Sequence, residues 1–209
     1  MPFIDIMSFS PERFLSYDNN IVETKPIKGT RPVSQNPEDN MRALTELSSS
    51  YKEKAENLMI VDLLRNDLSR VCRLGSVEVS ELARLESFAN VHHLVSEIRG
   101  TLFPTLGPID LLRATFPGGS ITGAPKVRAM EIIHELEPSS RGIYGGAIGY
   151  ISWNGNIDTA IAIRTAVIKD NIIHVGAGAG IVADSVPENE WLECKQKSKA
   201  FIDAMEMIS

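Results

Sequence analysis

Cysteine is scarce in this sequence, and so is any surplus of positive charge. The two thiols, Cys72 and Cys194, lie far apart and outside any metal-ligand spacing. That excludes a disulfide framework and a thiolate metal site, and points to a reducing compartment, the cytoplasm. Acidic residues outnumber basic ones, 27 to 21, for a formal net charge of −6. No Lys/Arg stripe stands out, so nucleic acid is not an expected partner. No apolar run is long enough to cross a bilayer, so no membrane is expected. The start lacks the basic residues and apolar core of a secretion signal. What is present is ordinary globular material, 43% hydrophobic and 23% charged, enough for a sizeable core. The chain reads as one domain, 1–209.

The pattern along the chain mixes both periodicities. Met1 to Phe9 reads as a strand entered at once, and Ile21 to Ile27 as a second after the Asp18-Asn19-Asn20 turn. Gly29 to Asn40, with two prolines, reads as a loop. From Pro37 to about Asp67 the apolar spacing is helical. Gly75 breaks into a short strand, Ser76 to Val79, and Val91 to Ile98 fits helix or strand. Pro108 opens a helix ending at Thr115, and Pro125 another ending near Leu136. Ile143 to Trp153 and Ile157 to Ile168 flank Asn154-Gly155-Asn156, a hairpin signal in which the turn residues can take positive φ. Strands at Asn171 to Gly176 and Gly180 to Asp184 precede a helix from about Glu188. An antiparallel meander with interspersed helices predicts an α+β fold.

Two carboxylate pairs carry the chemistry. Glu53 with Glu56, and Glu190 with Glu193, each stand at i, i+3 in helical segments, so each pair shares one helix face. Four converging carboxylates would repel without a divalent cation, and oxygen-only ligands favour a hard ion such as Mg2+. Either pair alone reads more simply as a solvated helix face. The run Phe116 to Lys126 (FPGGSITGAPK) is a glycine-rich loop entering a helix, where backbone N–H groups can meet an anion. It lacks the Gly-Lys-Ser/Thr of a P-loop, and a structural turn is its rival. Val175 to Gly180 offers backbone amides free of side chains, suited to a carboxylate, or else a tight sheet crossing.

Arg164 lies in an apolar run, Ile161 to Ala166, where a guanidinium needs an anion: a bound carboxylate or a structural salt bridge. His92 and His93 must point in different directions, one into the core and one toward a cavity. Lys28 follows Pro26-Ile27 at a strand end. An amine desolvated there can act as a nucleophile, although most loop lysines are merely solvated.

Together these segments resemble the chorismate-utilising enzymes, the family of anthranilate, isochorismate and salicylate synthases and of aminodeoxychorismate synthase component I. The match covers Ser8 to Phe14, Glu56 to Asp67, the glycine-rich loop, Arg141 to Gly146, Asp158 to Thr165 and Gly178 to Ser185. The resemblance implies a four-layer α/β/β/α sandwich of two antiparallel sheets. The family's N-terminal strands have no counterpart in the sequence, so the chain is expected to be the C-terminal part of that domain. Exposed sheet edges and self-association would follow.

The resemblance also implies roles. Glu53, Glu56, Glu190 and Glu193 match the Mg2+ carboxylates, with the metal bridging to the ring carboxylate of chorismate. Tyr144 and Arg164 match positions holding the enolpyruvyl group. Gly178, Ala179 and Gly180 match the backbone contacts to substrate carboxylate, with Lys197 nearby. His93 and Ser120 match residues lining the ring. Lys28 occupies a position where lysine resembles the aminodeoxychorismate branch and alanine the anthranilate and isochorismate branches. There the amine attacks C2 while an acid matching Glu12 helps the C4 hydroxyl leave, and ammonia then adds at C4. Neither cysteine has a nucleophile-elbow context, so ammonia is expected from solution or from a separate amidotransferase subunit. Anthranilate synthase component I, or a non-catalytic fragment that only binds a ligand or partner, are the alternatives.

Overall fold

Val91–Thr101 (β6), buried on both faces from His92 to Ile98, organises the larger of two antiparallel sheets. The computed structural model describes residues 4–207. On one edge β6 pairs with Glu78–Ser87 (β5); on the other it pairs with Ile27–Pro32 (β4) near its start and Ile21–Thr24 (β3) near its end. The sheet continues through Arg13–Asp18 (β2) and Ile157–Ile161 (β8) to Ala147–Ile151 (β7). One face of β6 carries His92, Leu94, Ser96 and Ile98, all buried. The helices Pro37–Ser49 (α1) and Tyr51–Ser69 (α2) lie on that side, with Pro108–Thr115 (α3) against α2. Between them the core gathers Phe14, Val22, Ile60, Leu64, Leu68, Ile98, Leu111 and Ile161. Each large side chain buried there is worth about 2 kcal/mol, which makes this half the stable one.

The second sheet is small. Thr165–Lys169 (β9) lies between Asp5–Ser8 (β1) and Ile172–Val175 (β10). The helices Lys126–Leu136 (α4) and Pro187–Glu206 (α5) hold no buried residue. The arrangement of antiparallel sheets and helices is the α+β architecture expected, and no helix among the described residues is long and apolar enough to cross a membrane.

Several local expectations are corrected. The helical stretch from Pro37 is two helices, because Ser50 leaves the helix (ψ 109) and its hydroxyl caps the next by accepting from the Glu53 N–H at 3.3 Å. Ser50-x-x-Glu53 is a capping-box sequence, overlooked because the apolar spacing runs through it. The segment from Gly29 to Pro32 is strand rather than loop, with a bulge at Gly29 (φ +78). A Cβ there would lie 2.7 Å from Leu47 Cδ1 and 3.2 Å from the Glu53 carboxyl, so only glycine lets β4 approach α1 and α2. The strand after Gly75 runs longer, and Val91 onward is strand rather than helix. The apolar run Ile157 to Ile168 is two strands in different sheets, parted at 162–164, where Arg164 takes φ 49. The segment 180–184 is a turn, closed by the Ser185 N–H on Val182 O, and not a strand. In the 154–156 turn, Gly155 alone has positive φ. Residues 1–3 of the expected first strand lie outside the described residues.

Candidate active site

The break that sends the chain from one sheet to the other leaves an open cleft of about 1740 Å3. Glu53 and Glu56 reach it from the first turns of α2, and Glu190 and Glu193 from the start of α5. Lys28 comes from β4, His93 from β6, Ser120 from a single 3-10 turn (Gly119–Ile121), and Glu12 from the residue before β2. Tyr144, Arg164, Gly178, Ala179, Gly180 and Lys197 also line it. Every candidate residue read from the sequence therefore faces one space.

Glu12 has the most altered chemistry. It is 7% exposed, and burial pushes its carboxyl from 4.5 to about 7. The Ser120 hydroxyl, Lys28, the Ile27 backbone and Lys197 all act in the opposite direction and are outweighed. Lys28 lies close by. Its Nζ is 3.6 Å from Glu56 Oε2 and faces Gly180, where a Cβ would come 3.5 Å from it.

His93 sits on the cleft face of β6, its Nδ1 2.9 Å from the Thr30 hydroxyl and its ring 5.8 Å from that of Phe88. Burial holds its pKa below the ordinary value, with Arg164 adding in the same direction, so the ring is uncharged at neutral pH. His92 faces the helices, with Nδ1 on Ser87 Oγ (2.7 Å) and Nε2 on Asn40 Oδ1 (2.9 Å), which is a packing role. The two histidines divide as alternation requires.

Across the cleft, a Cβ on Gly176 would meet the Tyr144 ring at 2.4 Å, and one on Gly178 would meet the Tyr144 hydroxyl at 2.9 Å. The absence of side chains is what lets this segment lie on Tyr144. Lys197 Nζ donates to the Gly178 carbonyl at 2.8 Å and pairs with Glu193 at 2.6 Å. Arg164 is not in mid-strand as read. It stands at the inter-sheet corner, exposed to the cleft, with no ion pair among the described residues. A salt-bridged structural arginine is therefore the poorer description.

The four glutamates share the cleft without converging: among the described residues no three Asp, Glu, His or Cys side chains are gathered closely enough to hold a metal. Glu53 is 3.6 Å from Arg31, Glu56 is near Lys28 and Lys52, and Glu193 is held by Lys197. Their donor chemistry, all carboxylate oxygen, fits a hard cation such as Mg2+. Sequence reading gave no role to Thr30 or Arg141. Arg141 was visible only as part of Arg-Gly-x-Tyr; its bonds to Glu137 are local, and its bond to the Ile121 carbonyl is tertiary.

A family model described as chorismate binding enzyme matches residues 1–203. The chain belongs to the chorismate-binding enzymes. Among curated relatives it is 51% identical over 203 residues to anthranilate synthase component 1 of Bacillus caldotenax, covering 97% of this chain and 40% of that protein. It is 53% identical over 201 residues to aminodeoxychorismate synthase component 1 of Escherichia coli, covering 96% of this chain and 44% of the relative. In structure it is similar to anthranilate synthase component I from Streptococcus pneumoniae, with a TM-score of 0.83 at 44% identity over 93% of this chain and 44% of that one. This chorismate-binding chain thus spans less than half the length of these relatives.

Proposed function

We propose that the cleft serves the conversion of chorismate and ammonia into 4-amino-4-deoxychorismate, the precursor of p-aminobenzoate in folate biosynthesis. The observation that carries this reading is the amine of Lys28 facing the cleft beside a buried carboxyl, Glu12, whose pKa is about 7. An acid near neutrality holds a proton in about half the molecules at pH 7 and can hand it to a departing hydroxyl. In this mechanism Lys28, as the free amine, attacks C2, both conjugated ring double bonds shift, and the C4 hydroxyl leaves as water with the proton from Glu12. Ammonia then attacks C4, the two double bonds return, and the C2–N bond to Lys28 breaks, releasing the free amine.

The remaining residues bind and orient. Arg164 and Tyr144 suit the enolpyruvyl carboxylate, the backbone at 178–180 with Lys197 suits the second carboxylate, and neutral His93 with Ser120 lies along the ring. Mg2+ held by Glu53, Glu56, Glu190 and Glu193 would supply charge neutralisation at the ring carboxylate. Ammonia would come from a separate amidotransferase, a reading supported by the words component 1 in the relatives' names. Cys72 is no substitute nucleophile, since burial pushes its thiol to about 11.

The second reading is anthranilate formation, favoured by the equally high identity to an anthranilate synthase component 1. Both are read out by the product formed from chorismate, Mg2+ and ammonium. The 4-amino product supports the first reading, and anthranilate overturns it. An absence of any turnover leaves a chain that only binds its ligand.

A further inference from the structure

Ser120 is carried by a loop with little secondary structure of its own, yet it must meet a buried carboxyl. Two cations hold that loop. Lys126 closes its neck, donating to the Thr115 carbonyl at 2.8 Å while pairing with buried Asp67. Arg141 holds its crown, with Nη1 donating to the Ile121 carbonyl at 2.6 Å. The rest of the guanidinium fork is occupied: Nε and Nη2 donate to the Glu137 carboxylate at 2.6–3.1 Å, and the plane lies 5.8 Å from the centre of the Tyr144 ring. Ile121 in turn packs on the backbone of Gly145, where a Cβ would come within 2.7 Å of its Cδ1.

We propose that Arg141 is a positioning residue: by gripping the Ile121 carbonyl from the Tyr144 side of the cleft, it fixes where the Ser120 hydroxyl stands beside the Glu12 carboxyl, both of which line the cleft. This rests on the reading of Glu12 and Ser120 as site residues, though not on which carbon is aminated. A planar fork can serve a carboxylate and a carbonyl at once, which a single ammonium cannot. Arg141 does not act on Glu12 through its charge. The groups facing that carboxyl are Ser120, the Ile27 backbone, Lys28 of β4 and Lys197 of α5, and the Arg141 charge is spent on Glu137. Its influence passes through the peptide joining Ser120 to Ile121.

The test is a substrate-free 13C NMR titration of the Glu12 carboxyl in this chain, assigned with Glu12→Gln. Ser120→Ala should raise the midpoint by about one pH unit, the worth of one hydrogen bond to a charged oxygen. Arg141→Met, which keeps a stem over Tyr144, should give a similar rise. The double variant should rise no further than either single one. Arg141→Lys, whose ammonium is drawn to Glu137 and leaves the carbonyl unheld, should show the same rise with the salt bridge preserved, and it covers the case in which the Met variant does not fold. A parental midpoint in a folded Arg141 variant, or no effect of Ser120→Ala, overturns the proposal. So does a double variant whose rise is the sum of the two, which would mean independent routes to Glu12. Because no substrate is present, these outcomes are separate from whether chorismate is aminated at C4.

Discussion

Glu12 is both the most altered group in the cleft and a burden on the fold. Its folded pKa of about 7 lies above the ordinary 4.5, so the folded state binds the proton more tightly than the unfolded chain does. The contribution of Glu12 to stability is therefore greatest below about pH 4.5 and is lost as pH rises through 7, by about 3 kcal/mol once the buried carboxylate is ionised. Glu12→Gln should melt at a clearly higher temperature than the parent at pH 8 and close to it at pH 4.5. Equal melting temperatures at pH 8 would show that the carboxylate is not destabilised. At this scale the sequence was informative where spacing alone constrains direction. His92 and His93 had to separate, and the i, i+3 glutamates had to share a face. Residue pattern alone gave Glu12 no role; it entered only through the family resemblance, and its raised pKa comes from burial by residues distant in the chain. For Arg164 the pattern gave the residue and the wrong setting, because the sheet change occurs inside an apolar run with no Gly or Pro to mark it.

The elements were legible where a local chemical signal starts or stops them. Pro108 opened α3, and Pro125 stands directly before α4. They were illegible where tertiary pairing decides, as in β5, whose polar sequence is strand because it pairs along β6 through irregular register at Ala83 (φ 48). Two element-scale outcomes follow from close contacts. A Cβ on Gly149 would fall 2.1 Å from the Asp158 carbonyl oxygen and 2.7 Å from Thr159 Cα, backbone atoms that cannot step aside without breaking the β7–β8 ladder. Gly149→Ala should cost about 3 kcal/mol or more in urea unfolding, and a change within a few tenths of the parent would contradict this register. Lys126→Met strips Asp67, 3% exposed, of its only ion-pair partner among the described residues. It should cost about 3–5 kcal/mol, with much of the loss recovered in Asp67→Leu/Lys126→Met, where no buried charge remains. A double variant as unstable as the single one would rule out an uncompensated charge as the cause.

At the scale of the whole molecule the two halves are unequal. The larger sheet and α1–α3 enclose a core, whereas the smaller sheet, α4 and α5 leave Ile6, Val127, Leu136, Ile172, Trp191 and Leu192 exposed. Both β1 and β10 are edge strands. Apolar surface of this kind and unpaired edges favour association, so light scattering should show the chain growing in mass with concentration, and a strictly monodisperse monomer would contradict that. The architecture was legible as α+β from its mixed periodicities, whereas exposed edges and faces were expected only through the family resemblance, because pattern tells which side of an element is apolar and not whether anything covers it. The same limit applies to function: motif order brought the site residues together in one cleft, while the choice of product rests on Lys28. The most direct measurement is intact-mass and peptide analysis of the chain quenched with chorismate and Mg2+ in the absence of ammonia. The account predicts an adduct of chorismate less one water on Lys28, discharged to 4-amino-4-deoxychorismate when ammonium is added. Formation of the 4-amino product with no adduct, or at the parent rate by Lys28→Ala, would contradict it.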